Sequence, residues 1–416
     1  MTKAVLFILL GWAAEAGEPL SLAVKFEELP RLIGEQNRLV RASRADLGAA
    51  ETRTGALTRA FLPKLELRGG QETHKVGSLD TRTDPYWKAQ AELNLYRGGR
   101  DRIESKQRLA ERELAEASLS MEHKSELEKA RKLYWQIAAF KELIAIQTEA
   151  IKANDEHLKA AKRKGAAGIA TRADPLEFEM NRTLLEQDLK KLRLELDLAK
   201  NKLAVLIARD DHERFDVTTP LGHPPENEYQ EANPAIGQVS DVRLLESRVS
   251  ISKLESSKFA RWWLPRVDLY GGTGLLTFRE RDYAIEEDRR EWFAGVKIEL
   301  NFFDGLVSQN ESRAKAAQAE GLRLRTEHRA HELAAQLHEL KHDLRLQHDL
   351  LHDSGKTIEQ AKQFLKLTLN EYGRGVKNGP DVLNAAQKYL EFQRNDIELR
   401  REYYWTQAEM LSVLEK

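Results

Sequence analysis

His338-Glu339-Leu340-Lys341-His342 reproduces H-E-x-x-H. At that spacing a helix offers two imidazoles to a zinc ion and a carboxylate to activate its bound water. His348 follows at the spacing of a third ligand. That chemistry needs a glycine turn between the second and third ligands, and position 345 is Arg. In a continuous helix His348 stands about 15 Å along the axis from His338 and about 80° around it, too far to share one ion. Leu333, Leu337, Leu340 and Leu344 repeat at the 4-3-4 spacing of a packed helical seam, so the helix is expected to continue. A zinc peptidase is set aside on these grounds and no metal site is assigned. The pairs His338/His342 and His348/His352, each four residues apart, stay as weak candidate chelators.

Composition narrows the remaining chemistry. The 416 residues carry 66 basic and 67 acidic side chains, which leaves no footprint for nucleic acid. No cysteine is present, so there is neither a disulfide framework nor a thiolate metal site. No enzyme activity and no cofactor are expected. At the N-terminus, Lys3, the apolar run Ala4 to Ala14 and the Ala14-Glu15-Ala16 triplet read as an export signal over residues 1–16.

The elements that would position any site occur twice. Leu62-Pro63-Lys64-Leu65-Glu66-Leu67-Arg68-Gly69-Gly70 returns as Leu264-Pro265-Arg266-Val267-Asp268-Leu269-Tyr270-Gly271-Gly272. Leu93-Asn94-Leu95-Tyr96-Arg97-Gly98 returns as Leu300-Asn301-Phe302-Phe303-Asp304-Gly305, and Gly168 and Asp174 return as Gly375 and Asp381. The boundaries read as a first repeat over 17–210, a proline-rich linker over 211–235 and a second repeat over 236–416. Residues from about 20 to 60 predict one or two helices.

Each repeat alternates apolar and polar residues over two short runs joined by a polar loop, a strand hairpin of about 62–97 in the first copy and about 264–303 in the second. Leu65 and Leu67 mark the first run, then Ala89, Ala91, Leu93 and Leu95. Each hairpin leads into a very long helical stretch. From Gly99 to Lys164 there is no internal proline or glycine, which predicts a helix of roughly 100 Å. Leu306 to Gly373 matches it, and a return helix follows each. The seams Leu133, Ile137, Phe140, Ile144 and Leu189, Leu192, Leu196 have coiled-coil spacing, and the other faces are densely charged.

Four strands leave two raw edges, and the remaining segments are helical. Closure with strands from sister chains is the solution left, and three chains would supply twelve. Runs of this length suit tilted membrane strands, which need roughly 9–11 residues. Trp87, Trp262, Trp263 and Trp292 lie near strand ends, as an aromatic girdle requires. The fold class expected is a mixed α+β membrane protein: long α-helical coiled-coil hairpins with a trimeric 12-stranded transmembrane β-barrel, built from two internal repeats.

The duplicated strand–loop–strand–helical hairpin, the Leu-Pro-x-Leu/Val-x-Leu strand starts and the Gly-x5-Asp turns resemble the outer-membrane efflux protein family, the TolC-like channel-tunnels. The resemblance implies a homotrimer in outer-membrane lipid whose long helices close an α-helical coiled-coil barrel, partnered by a periplasmic adaptor and an inner-membrane pump. It would form the exit duct of a tripartite efflux or type I secretion system, a passive channel gated at its periplasmic helical tip. By the same resemblance Gly168, Arg172 and Gly375 fall at the adaptor-docking tips. Asp174, Tyr372 and Lys377 match a latch between hairpins, and Asp381 matches an acidic ring at the pore constriction. The second ring position is Asn384 here, and a Lys at 377 lacks the bidentate fork of Arg. The competing reading is a periplasmic coiled-coil structural or adaptor protein without a membrane barrel.

Overall fold

The computed structural model describes residues 22–75, 81–166, 173–209, 215–224, 239–275 and 290–414. The export signal, the Gly168–Arg172 turn and most of the proline-rich linker lie outside the described residues. Two compact units divide the chain. One comprises Met1–Arg41, His123–Asn233 and Gln336–Glu415; the other comprises Ala42–Glu122 and Pro234–Ala335, with Lys416. Each unit draws on both sequence copies.

In the second unit, β2 (Lys64–Lys75), β3 (Thr81–Arg97), β5 (Arg266–Leu275) and β6 (Arg290–Glu299) form one antiparallel sheet in the order β2-β3-β5-β6. The two hairpins are joined through β3 and β5, with Leu93 opposite Leu269 and Ala91 opposite Gly271. Side chains alternate between faces with period two. One face carries Leu65, Leu67, Leu269, Trp292, Val296 and Ile298; the other carries Glu66, Arg68, Glu92, Arg266, Asp268 and Glu299. The apolar face is open: Leu65 and Trp292 are each 81% exposed and Ile298 is 68% exposed. On the charged face Arg266 reaches Asp268 at 2.5 Å, Glu92 at 3.1 Å and Glu299 at 3.9 Å. Asn94 is buried there and donates to Asp101 at 3.0 Å and to the Ala60 carbonyl at 3.2 Å.

Two departures from simple alternation appear. The register slips between Asn94 and Tyr96, so Leu95 is bulged and Tyr96 pairs with Val267. A bulge of this kind bends and twists the strand at the rim of a sheet. In the second copy β6 ends at Glu299, and the exposed Phe302 and Phe303 belong to the turn beyond it. There Asp304 accepts the Ser308 N–H at 3.0 Å and caps α7 (Val307–Gly373). The turn that starts each long helix needs two left-handed residues. They are Gly98 (φ 62°) and Gly99 (φ 72°) before α4 (Arg100–Ala166), but Gly305 (φ 71°) and Leu306 (φ 65°) before α7.

The segment read as one or two helices opens instead with a strand, β1 (Leu22–Val24), which pairs in parallel with β4 (Phe215–Val217). Three residues are too few for periodicity to reveal a strand whose partner lies so far along the chain. Helices α1 (Leu29–Gln36), α2 (Arg38–Arg53) and α3 (Ala56–Ala60) follow. The β1/β4 ribbon is held in the first unit by buried Tyr134, whose hydroxyl donates to the Val24 carbonyl at 2.9 Å. Asn37 accepts the Leu39 and Val40 N–H groups as the cap of α2, and donates to Glu126 and to the Leu206 carbonyl at 2.9 Å each. Arg400 sits buried between Asp396 (2.9 Å) and Glu142 (2.8 Å). Satisfying its guanidinium on several sides is what makes a buried cation tolerable.

Candidate functional site

The helical hairpins converge in the first unit. There α4 and α5 (Ala173–Leu206) face α7 and α8 (Gly379–Leu414). Leu158 and Ala161 of α4, Phe178 of α5, Tyr372 of α7 and Val382 of α8 form one buried apolar cluster. Above it runs a ladder of amides. Asn154 donates to the Phe178 carbonyl (2.9 Å), Asn181 to Asn154 (2.8 Å), and Gln387 of α8 to Asn181 (3.2 Å). Gln147 donates to the Leu185 carbonyl at 2.9 Å, and Arg394 of α8 reaches both Gln147 and Asp188. Amides in such positions fix register, because sliding one helix leaves buried donors unpaired.

The turn from α7 to α8 is built from local rules. Gly375 takes φ +80°, which suits glycine, and its N–H donates to the Tyr372 carbonyl at 3.1 Å while Val376 N–H reaches Glu371 at 3.0 Å. Asn378 then caps α8: its Oδ1 accepts the Asp381 N–H at 3.1 Å, and the Asp381 carboxylate accepts the Asn378 N–H at 3.2 Å. This is a reciprocal capping box, so Asp381 is the returning partner rather than the cap itself.

Two contacts tie the hairpin ends together. Lys164, in the last turn of α4, lies over the Tyr372 ring with its Nζ 3.8 Å from the centroid, and donates to the Tyr372 carbonyl. An ammonium there meets both a ring face and the negative end of α7. Asp174, in the first turn of α5, is buried against Gly379, the first residue of α8. A Cβ on Gly379 would stand 3.1 Å from Asp174 Cγ. The carboxylate thus lies at the positive end of α8. Burial, and then the Asp174 charge, push the Tyr372 hydroxyl above its usual pKa. That hydroxyl is buried with no hydrogen-bond partner among the described residues.

Of the residues singled out in the sequence, Asp174 and Tyr372 come together. Lys377 is exposed on the turn, Asn384 is exposed one turn into α8, and Gly375 forms the bend. Trp87 and Trp292 lie near the loop end of the sheet, level with Leu275 and Thr273, whereas Trp262 and Trp263 lie in the turn between α6 (Ser240–Ala260) and β5. Sequence reasoning missed Lys164 and Gly379. The one signal was position: Lys164 is the last cation before Gly165, and Gly379 stands between a helix cap and a proline. The long helix α7 runs unbroken through His338 and His348, and among the described residues no three metal-capable side chains converge. No helix among the described residues is long and apolar enough to cross a membrane.

The family model described as "Outer membrane efflux protein" matches residues 29–209 and 258–414. The chain belongs to this family. It is therefore an exit duct of the outer membrane serving tripartite efflux, with a periplasmic helical extension, and a passive channel rather than an enzyme. Channels of the family work with periplasmic adaptors and inner-membrane pumps. Three solved structures show the same fold. The outer-membrane channel OprN has 18% identity and a TM-score of 0.79, over 94% of this chain and 89% of that one. The outer membrane protein VceC from Vibrio cholerae has 15% identity and a TM-score of 0.78, over 94% and 96%. The open-state MtrE channel of Neisseria gonorrhoeae has 16% identity and a TM-score of 0.79, over 94% and 88%. No curated protein matches the chain.

Proposed function

We propose that three copies of this chain close the sheet into a twelve-stranded barrel, β2 of one copy pairing with β6 of the next, and that the helical tips gate the duct. The observation that carries this reading is the segregation of the sheet: an open apolar face, an opposite charged face and two unpaired edge strands. An exposed edge flanked by large apolar side chains is an aggregation site in water. In a closed barrel the same edges are paired, the apolar face meets lipid and the charged face lines water. Trp87 and Trp292 at one end and Trp262 and Trp263 at the other would then sit in the two membrane interfaces.

At the tips, the closed state is held within each chain by Lys164 on Tyr372 and Asp174 on Gly379. Opening separates the α4/α5 hairpin end from the α7/α8 end, a helix shift between two packed arrangements. Asp381 and Asn384 of the three copies would form the constriction, where a ring of carboxylates favours cations. By sequence position Gly375, with Gly168 and Arg172 of the first repeat, would serve the adaptor, which in turn engages the inner-membrane pump. The test is purification in detergent followed by planar-bilayer recording. A trimer with small cation-selective conductance supports the reading; a monomer that produces no conductance contradicts it.

A further inference from the structure

We propose that His338 and His342 form a two-imidazole site for a divalent transition-metal ion on the exposed face of α7. Both side chains are exposed, one helical turn apart, on the side opposite the buried Leu333, Leu337, Leu340 and Leu344. Their ring centroids stand 4.6 Å apart at 75°. A metal-bound imidazole nitrogen lies about 2.0–2.1 Å from the ion, so two rings on one ion have centroids roughly 4.5–5 Å apart. The pair thus has the spacing that chelation requires. The neighbouring pair is arranged differently: His348 Nδ1 faces Asp349 at 4.0 Å and His352 Nδ1 faces Asp353 at 3.7 Å.

The rigid helix is what makes two ligands useful. Its backbone is already ordered by the leucine seam, so binding costs only two exposed side-chain rotamers. With two protein nitrogens, water completes the shell, and the site is open and reversible rather than structural. Imidazole nitrogens with free positions favour Cu²⁺ over Ni²⁺ and Zn²⁺. The ion takes the neutral form of each ring. The site depends neither on barrel closure nor on the tip contacts.

The experiment titrates the full chain, freed of any polyhistidine tag, with Cu²⁺ and Ni²⁺ by calorimetry near neutral pH. One Cu²⁺ site per chain is expected, weakened about tenfold or more in His338→Asn and again in His342→Asn, and unchanged in His352→Asn. Electron paramagnetic resonance of the Cu²⁺-loaded wild type should show two equivalent-type nitrogen ligands, a readout that needs no variant. Affinity unchanged in both single variants, equal loss in His352→Asn, or a spectrum without two nitrogens would overturn the proposal.

Discussion

The carboxylate of Asp174 occupies the space that a side chain on Gly379 would need, with Cγ 3.1 Å from the missing Cβ position. One residue lies in the first turn of α5 and the other begins α8, so the two hairpins meet through a charge placed on a helix N-terminus. Gly379→Ala makes the Asp174 side chain give way by a few tenths of an ångström. Overpacking of this kind costs about 1–3 kcal/mol, and here the cost falls on the closed tip. Leak conductance in planar bilayers should rise several-fold in Gly379→Ala and also in Asp174→Ala. Wild-type leak in both would show that the contact does not hold the gate.

Lys164 acts on the other side of the same tip. Lys164→Met keeps most of the stem but removes the charge over Tyr372 and at the end of α7. A cation–π contact is worth about 0.5–2 kcal/mol, so the closed state should lose from about twofold to thirtyfold in population. Lys164→Arg should retain most of it. The same bilayer recordings check this, and equal leak in Met and Arg variants would assign Lys164 no role.

Acid should loosen the tip through His157. Burial beside Phe178 lowers its pKa from the usual 6.5, so the unfolded chain takes up the proton first as pH falls. The stability supplied by neutral His157 is therefore complete above that usual value and is lost as pH falls through the lowered folded value. Thermal unfolding followed across this range should show an acid-side loss that His157→Gln reduces.

Leu306 holds the left-handed conformation that glycine holds at the matching turn of the first repeat. A left-handed L-residue costs roughly 1–2 kcal/mol, and the greater freedom of unfolded glycine returns part of this. Leu306→Gly should raise the unfolding temperature slightly, while Gly99→Leu should lower it. Measured shifts of the opposite sign would mean that contacts of Leu306 outweigh its backbone strain.

Periodicity revealed the architecture because the fold repeats its physics. Leu65, Leu67, Val296 and Ile298 alternate because one sheet face is apolar, and Leu333 to Leu344 keep 4-3-4 spacing because one helix stripe is buried. The features that stayed hidden depend on single placements. The bulge at Leu95 adds one residue without changing composition, and the Asn378 cap is visible only once Asp381 is seen to return its bond. Lys164 looks like any other cation on a charged helix until α7 ends against it. Gly379 reads as a turn residue, although its importance lies in what it leaves empty for Asp174.

Membrane insertion can be challenged from the apolar face. Val296→Arg places a cation where lipid is expected, at a cost of about 2–4 kcal/mol near the bilayer midplane. Lys297→Arg, on the charged face, should be tolerated. Outer-membrane yield of folded protein should fall for the first and hold for the second.

The most direct test is a disulfide across the β2 and β6 edges. The native chain has no cysteine, so a series pairing Cys at Leu65, Leu67 or Gly69 with Cys at Ala294, Val296 or Ile298 reports only the introduced contacts. Oxidation in outer membranes should give covalent trimers for at least one register, and none from single-cysteine chains. If every combination yields only monomers, the two edges do not meet between copies and the twelve-stranded barrel is contradicted.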